Sequence, residues 1–229
     1  MVTTDQSLIF IVKNRNEVMP GYWTIAFQRP KGFEFMAGDW IDIDDENKNL
    51  SGGKTYSLAS SPTEKDIMIA FRSGMSERKQ MLQSIQPGEV VVSNRYGNDY
   101  GFRLKPGQAS VLVAGGVGIA PFRSMIMQIY DTGDRSELLL LYLNQDKNFL
   151  FKEELDVWTR DMPNISVVYI ITKELNRKKR EKLLKSYITN SNQNFYISGP
   201  PGMVDSTEHL LIDSGVLVRN IKIDVFGGY

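Results

Sequence analysis

Along the first hundred residues, apolar and polar positions change over in short runs separated by turn residues. "SLIFIVKNR", "YWTIAFQ", "WIDID", "TYSLAS", "DIMIAFR" and "EVVVSNRY" are rich in β-branched and aromatic residues, the pattern of half-buried strands. Between them lie "PG", "KGFEFMAGD", "NLSGGK", "SPTEKD" and "QPGE", which carry the glycines, prolines and polar residues of turns. Strands at this spacing predict a small antiparallel barrel or sandwich. One helical insert is expected at "SERKQMLQSI", with Ser76 as its N-cap and Met81, Leu82 and Ile85 on its apolar face.

From Gly107 the period changes. "SVLVAG", "ELLLLYL", "ISVVYII", "NFYIS" and "NIKIDVF" are nearly continuous apolar runs, as strands covered on both faces require. Helical patterns fit between them at "APFRSMIMQIYD", "FLFKEELDVWTR", "KREKLLKSYI" and "GMVDSTEHLLIDS". The alternation predicts a parallel, doubly wound α/β sheet. A boundary within "LKPGQ" divides the chain into domains of residues 1–106 and 107–229.

Composition narrows the chemistry more than it narrows the fold. The 229 residues contain no cysteine, which excludes disulfides, thiolate metal sites and cysteine-ligated clusters. A single histidine, His209, makes histidine-rich metal sites impossible and a Ser-His-Asp triad improbable, and its helical pattern suits a surface or half-buried structural role. No metal is expected. Lys plus Arg balance Asp plus Glu at 27 each, so no global charge points to nucleic acid or a membrane. No apolar run is long enough to span a bilayer, and the start has no signal-peptide pattern, so a cytoplasmic protein is expected. Redox or group-transfer chemistry would have to come from an organic cofactor.

A candidate for its binding lies in "SVLVAGGVGIAPFRSM", where three glycines in four positions join a strand to a helix. Unpaired amides and a partial positive charge at a helix start suit a pyrophosphate, and missing side chains let it come close. This is not the common dinucleotide fingerprint. Pro121 stands where its third glycine would be, and the next strand ends at Asn144 and Gln145 without an acid. A tight turn alone would explain the glycines equally well. "FYISGPPGMVD", residues 195–205, repeats the device later in the same half, so that two such openings on one sheet edge would make a two-sided crevice.

Together with "KTYSLAS" and the terminal "FGGY", these segments resemble the ferredoxin–NADP reductase superfamily over nearly the whole chain and in that family's order. The resemblance implies a flavin-binding β-barrel followed by an NAD(P)-binding α/β domain. It implies a flavin-dependent oxidoreductase moving a hydride between NAD(P)H and FAD, with electrons passing to a separate acceptor. Tyr56 would then pack on the isoalloxazine, and Ser57 would hydrogen-bond near flavin N5. Lys54, in the place of the family's arginine, would meet the flavin pyrophosphate without a bidentate fork. Thr55 belongs to the same motif. Gly74, Met75 and Ser76 in "SGMS" would form a second phosphate cradle, assisted by Arg72, for which a solvent-facing role is an equal alternative. Gly116, Val117, Gly118 and Ile119 would line the nicotinamide nucleotide's path, with Gly199, Pro200 and Met203 opposite. Ser198 stands where many relatives carry cysteine. Asp224 matches a carboxylate near the hydride path. Tyr229 would cover the flavin at rest and move to admit the nicotinamide, a frayed terminus being the alternative.

By the same resemblance, Thr172 and Lys173, ahead of Arg177, Lys178, Lys179 and Arg180, would favour NADP(H) over NAD(H), whereas Gln145 favours the reverse; a solvated charged surface and a docking patch for an acidic protein are the alternatives for the basic run. FAD is expected rather than FMN. The acceptor would be a ferredoxin, a flavodoxin or an oxygenase component. The reductase subunit of an oxygenase or another flavin-dependent complex, and a nucleotide-sensing subunit without turnover, are the other readings.

Overall fold

The structure is a computed structural model that describes residues 2–44, 50–190 and 192–226. The chain divides into two compact units. One holds the chain up to Asp99 together with Ala120–Asp131; the other holds Tyr100–Ile119 and Thr132–Phe226.

The first unit is built on six antiparallel strands: β1 (Val2–Met19), β2 (Tyr22–Gln28), β3 (Trp40–Asp42), β4 (Thr55–Ser57), β5 (Asp66–Arg72) and β6 (Val90–Gly97). Their order is β4-β3-β6-β1-β2-β5. A bridge between Leu58 and Ile69 joins the two ends, and Ala59 N–H donates to the Met68 carbonyl at 2.7 Å, so the sheet closes into a barrel. Strand β1 is long because register shifts after Val12 and Glu17 let it pair with β6 at one end and β2 at the other. Inward-facing Phe10, Ile25, Phe27, Ile41, Leu58, Ile67 and Ile69 fill the interior. Each contributes about 1.5–3 kcal/mol by leaving water.

A short helix, α1 (Glu77–Ser84), follows β5. The Ser76 hydroxyl accepts from Lys79 N–H at 3.4 Å, so the expected cap is present. Leu82 and Ile85 are buried as the apolar pattern requires. Arg78 is buried too, which the pattern did not foresee.

In the second unit, β7 (Ser110–Gly115), β8 (Leu138–Asn144), β9 (Ile165–Ile171), β10 (Asn194–Gly199) and β11 (Ile221–Val225) are all parallel, in the order β11-β10-β7-β8-β9. The chain runs outward from β7 to β9, then returns to β10 on the other side of β7. The crossover helices are α2 (Ile119–Thr132), α3 (Lys152–Asp161), α4 (Arg177–Lys185) and α5 (Pro201–Asp213). The gap between β7 and β10 is the topological switch point, where open parallel sheets bind ligands beyond their carboxyl ends. Both predicted crossover openings lie there.

Most of α2 belongs to the barrel's unit. Arg123, 3% exposed, donates to the Ala59 carbonyl at 2.8 Å and to both Glu64 carboxylate oxygens at 2.9 and 3.2 Å. The Ser124 hydroxyl donates to the Ser60 carbonyl at 2.6 Å. Asp131 accepts from the Thr63 hydroxyl at 2.5 Å. The loop from β4 to β5 is thereby laced to a helix lying some sixty residues further along the chain. No described helix is long and apolar enough to cross a membrane.

Candidate nucleotide and flavin sites

In the second unit the site begins with the three glycines at the end of β7 and just beyond it, Gly115, Gly116 and Gly118. Gly116 starts a 3-10 turn, Gly116–Gly118, with φ of 55°, a left-handed conformation that a side chain would strain. A Cβ there would meet only the Asn144 side-chain oxygen at 3.9 Å, so that flank is open. Gly118 differs. A Cβ there would lie 2.5 Å from the Ser198 carbonyl carbon and 2.8 Å from Gly199 Cα. A Cβ on Gly115 would meet Met203 Cε at 2.6 Å and Pro200 Cδ at 3.0 Å. From the sequence, the three glycines were open to two explanations, room for an anion or a tight turn. Two of them are required by the protein's own packing, and Gly116 alone keeps its bare side open.

Opposite, β10 carries Ser198 and Gly199, and Pro200 and Pro201 open α5. Ser198 is buried, pairs in register with Ala114 and Asp224, and its hydroxyl donates to the Asp224 carboxylate at 3.3 Å. Val117 and Ile119 are buried beside the glycines, and Met203 packs beneath them. Two strands away, the Thr172 hydroxyl donates to the Asn144 carbonyl at 3.1 Å, and Lys173 N–H donates to the Gln145 carbonyl at 3.4 Å. The Thr172–Glu174 turn is thus tied to the end of β8, and the Lys173 side chain is exposed. Asn176 caps α4, accepting from Lys179 N–H at 2.9 Å. His209 is exposed on α5 beside Asp205, whose backbone carbonyl and carboxylate raise the imidazole pKa.

In the barrel, β4 presents its residues in register against β3: Thr55 opposite Asp42, Tyr56 opposite Ile41 and Ser57 opposite Trp40. The Thr55 hydroxyl donates to Asp42 at 2.6 Å, and Lys54 stands 3.5 Å from Asp42 and 3.8 Å from Asp44. Tyr56 is 6% exposed, meets Phe71 edge-to-face at 6.3 Å and donates to the Gly53 carbonyl at 3.3 Å. Burial pushes its phenol pKa up to about 12, against a smaller opposite pull from Arg78. Ser57 is buried beside it.

At the start of α1, Arg72 ends β5 and lies over the Tyr22 ring at 5.7 Å. Met75 is exposed. The bare flank of Gly74 is filled by the Lys79 stem, which a Cβ would overlap. Burial and the nearby Arg72 charge both lower the Lys79 pKa. Two cations held near one another beside a helix start fit a phosphate, because an anion there would relieve their repulsion. Arg78 supports this corner from within. Its guanidinium donates to the Ile43, Leu50 and Gly52 carbonyls at 2.6, 2.8 and 3.5 Å and to Asp44 at 2.6 Å. Ser51 N–H donates to Glu77 at 2.9 Å, completing the tie between the 50–53 loop and the helix.

The described residues therefore bring together Lys54 with Thr55, Tyr56 and Ser57 of the strand that follows it, and Arg72, Gly74 and Ser76 with the unforeseen Lys79 and Arg78. Tyr229 lies outside the described residues. Among the described residues no group of three His, Asp or Glu could hold a metal.

Residues 112–209 match the family described as "Oxidoreductase NAD-binding domain". The fold matches a ferredoxin NADP+ reductase from Neisseria gonorrhoeae solved with bound FAD and NADP, with a TM-score of 0.81 and 19% identity, covering 97% of this chain and 99% of that one. The chain thus has the fold of ferredoxin–NADP+ reductases, with an oxidoreductase NAD-binding segment in its second unit. Among curated relatives, the phenol hydroxylase P5 protein of Acinetobacter pittii is 25% identical over 99% of this chain. The Oxidoreductase NAD-binding domain-containing protein 1 of Bos taurus is 31% identical over 76% of it. The chain spans 66% of the length of each.

Proposed function

We propose that this protein is an NAD(P)H-dependent flavin oxidoreductase that passes electrons to a separate acceptor. The observation that carries the reading is the pair of glycine-bearing strand ends at the β7–β10 switch point, within a segment that matches an NAD-binding family. The division of labour follows the sequence reading, with residues 1–106 holding flavin and 107–229 holding the coenzyme. Bound in the barrel, FAD would supply the redox chemistry, accepting a hydride from nicotinamide C4 and releasing electrons onward.

The protein's residues bind and orient. Gly116, Val117, Gly118 and Ile119 line the coenzyme's path at a helix start, with Gly199, Pro200 and Met203 as the facing wall. The Ser198–Asp224 pair offers a polar edge to the nicotinamide, and Ser57 offers a hydroxyl to flavin N5 without introducing charge. Tyr56 supplies the ring for the isoalloxazine. Lys54, Arg72, Lys79, Gly74, Met75 and Ser76 receive the flavin phosphates. Thr172 and Lys173 face the adenosine end, and the basic run after them favours NADPH.

The likeness to the phenol hydroxylase P5 protein over nearly the whole chain favours an oxygenase component as the acceptor, ahead of a ferredoxin or flavodoxin. Anaerobic titration of the purified protein with NADPH and NADH, followed by flavin absorbance and then addition of candidate acceptors, tests the reading. Bleaching by either coenzyme is the expected result. A colourless protein that takes up no added flavin would overturn it.

A further inference from the structure

Within the glycine turn the Gly116 carbonyl accepts from Ile119 N–H, and a side chain from outside the turn holds the same carbonyl. Tyr142, the antepenultimate residue of β8, is completely buried. Its hydroxyl donates to the Gly116 carbonyl at 3.0 Å and accepts from Leu150 N–H at 3.1 Å. The ring is packed against Phe149 at 5.0 Å and Tyr169 at 6.3 Å, so the hydroxyl cannot swing away.

A trans peptide is planar, with its carbonyl and N–H pointing in opposite directions. Pinning the Gly116 carbonyl therefore aims the Val117 N–H away from Tyr142. That amide is among the first of the 3-10 turn, ahead of the hydrogen-bond ladder, where helix starts meet anions. We propose that Tyr142 is a positioning residue for the coenzyme, its hydroxyl fixing the Gly116–Val117 peptide in the orientation that receives the pyrophosphate. This rests on the coenzyme reading of the preceding section.

The same hydroxyl connects the loop to the rest of the candidate site. Asn144 donates from its side chain to the Asn148 carbonyl at 2.7 Å, and Thr172 and Lys173 bond to the carbonyls of Asn144 and Gln145. Leu150 N–H then closes the path onto Tyr142. Residues 144–150 thus form a hydrogen-bonded strap from the Thr172–Lys173 turn to Gly116, with Tyr142 at its far end.

The test is Tyr142→Phe in the flavin-loaded protein, a substitution that keeps the ring and its packing. Dissociation constants for NADP+ and NAD+ are read from flavin difference spectra, beside KM, kcat, flavin content and melting temperature. Coenzyme binding and KM should weaken about five- to tenfold, the scale of one lost buried hydrogen bond. Flavin content and kcat should stay near the parent values. Tyr169→Phe is the control: it removes the hydroxyl bond to Asp156 at 2.7 Å within the same aromatic cluster. It should lower the melting temperature and leave coenzyme affinity unchanged. Parent-like binding by Tyr142→Phe, or equal weakening in both variants, would overturn the proposal. A parent that binds neither coenzyme would instead remove the reading on which the proposal rests, and the proposal with it.

Discussion

The place where Gly118 lacks a side chain is occupied by the backbone of Ser198: a Cβ would sit 2.5 Å from that residue's carbonyl carbon. Neither backbone can yield without moving a strand end. Gly118→Ala should therefore destabilise the fold by about 3 kcal/mol, the upper end of overpacking costs. Gly116→Ala meets open space but must hold a left-handed φ, costing about 1 kcal/mol. Urea denaturation of the two variants should rank them in that order, and the opposite ranking would refute the packing argument.

Arg123 and Glu64 are tied in a pair whose cation is nearly inaccessible and whose carboxylate is partly exposed. Glu64→Gln leaves a buried guanidinium with a weaker partner. A loss of about 2–3 kcal/mol is expected, below the range for fully buried pairs because water reaches Glu64. A double-mutant cycle with Arg123→Met should give a coupling energy clearly above measurement error. Additive effects would mean that the pair contributes nothing of its own.

Lys54 offers a point charge where an arginine would offer a fork. Lys54→Arg should tighten FAD binding by about three- to tenfold, since bidentate charge-assisted bonds to phosphate are the stronger kind. Recovery of flavin fluorescence on dilution measures this directly. An unchanged dissociation constant would separate Lys54 from the flavin phosphates.

Tyr56 holds its proton more tightly when folded, with a pKa of about 12 against an ordinary value of 10.0. Its contribution to stability is complete below pH 10 and is lost as the pH rises toward 12, because the unfolded chain ionises first. By pH 11 the loss should reach about 1 kcal/mol. Tyr169 and Tyr196 are shifted the same way, so the comparison that isolates Tyr56 is the alkaline slope of the parent against Tyr56→Phe. Equal slopes would place the Tyr56 ring in contact with water.

The strands and helices were legible because their apolar periods differ, and each predicted strand segment has a counterpart among β1–β11. The capping serine of α1 was legible for the same local reason. Arg78 was not. In "SERKQMLQSI" it reads as one more exposed helical charge, and only the fold brings the Ile43, Leu50 and Gly52 carbonyls around it. Lys79 was hidden likewise, since its place across Gly74 depends on the turn between β5 and α1. The phenol of Tyr142 lay inside an apolar run that looked uniformly like strand core. Gly118 shows the opposite limit: its sequence setting pointed to a ligand, while its tightest neighbour is the chain itself.

The helix carrying Arg123 and Ser124 lies beyond the point where the sequence changes rhythm, yet it completes the barrel's unit. A gene cut at residue 106 would yield an N-terminal fragment in which Glu64 loses its guanidinium and the Ala59 and Ser60 carbonyls lose their donors. Such a fragment should be a poor expression product. Modular exchange of the N-terminal half between relatives would therefore have to transplant a piece of the downstream chain with it.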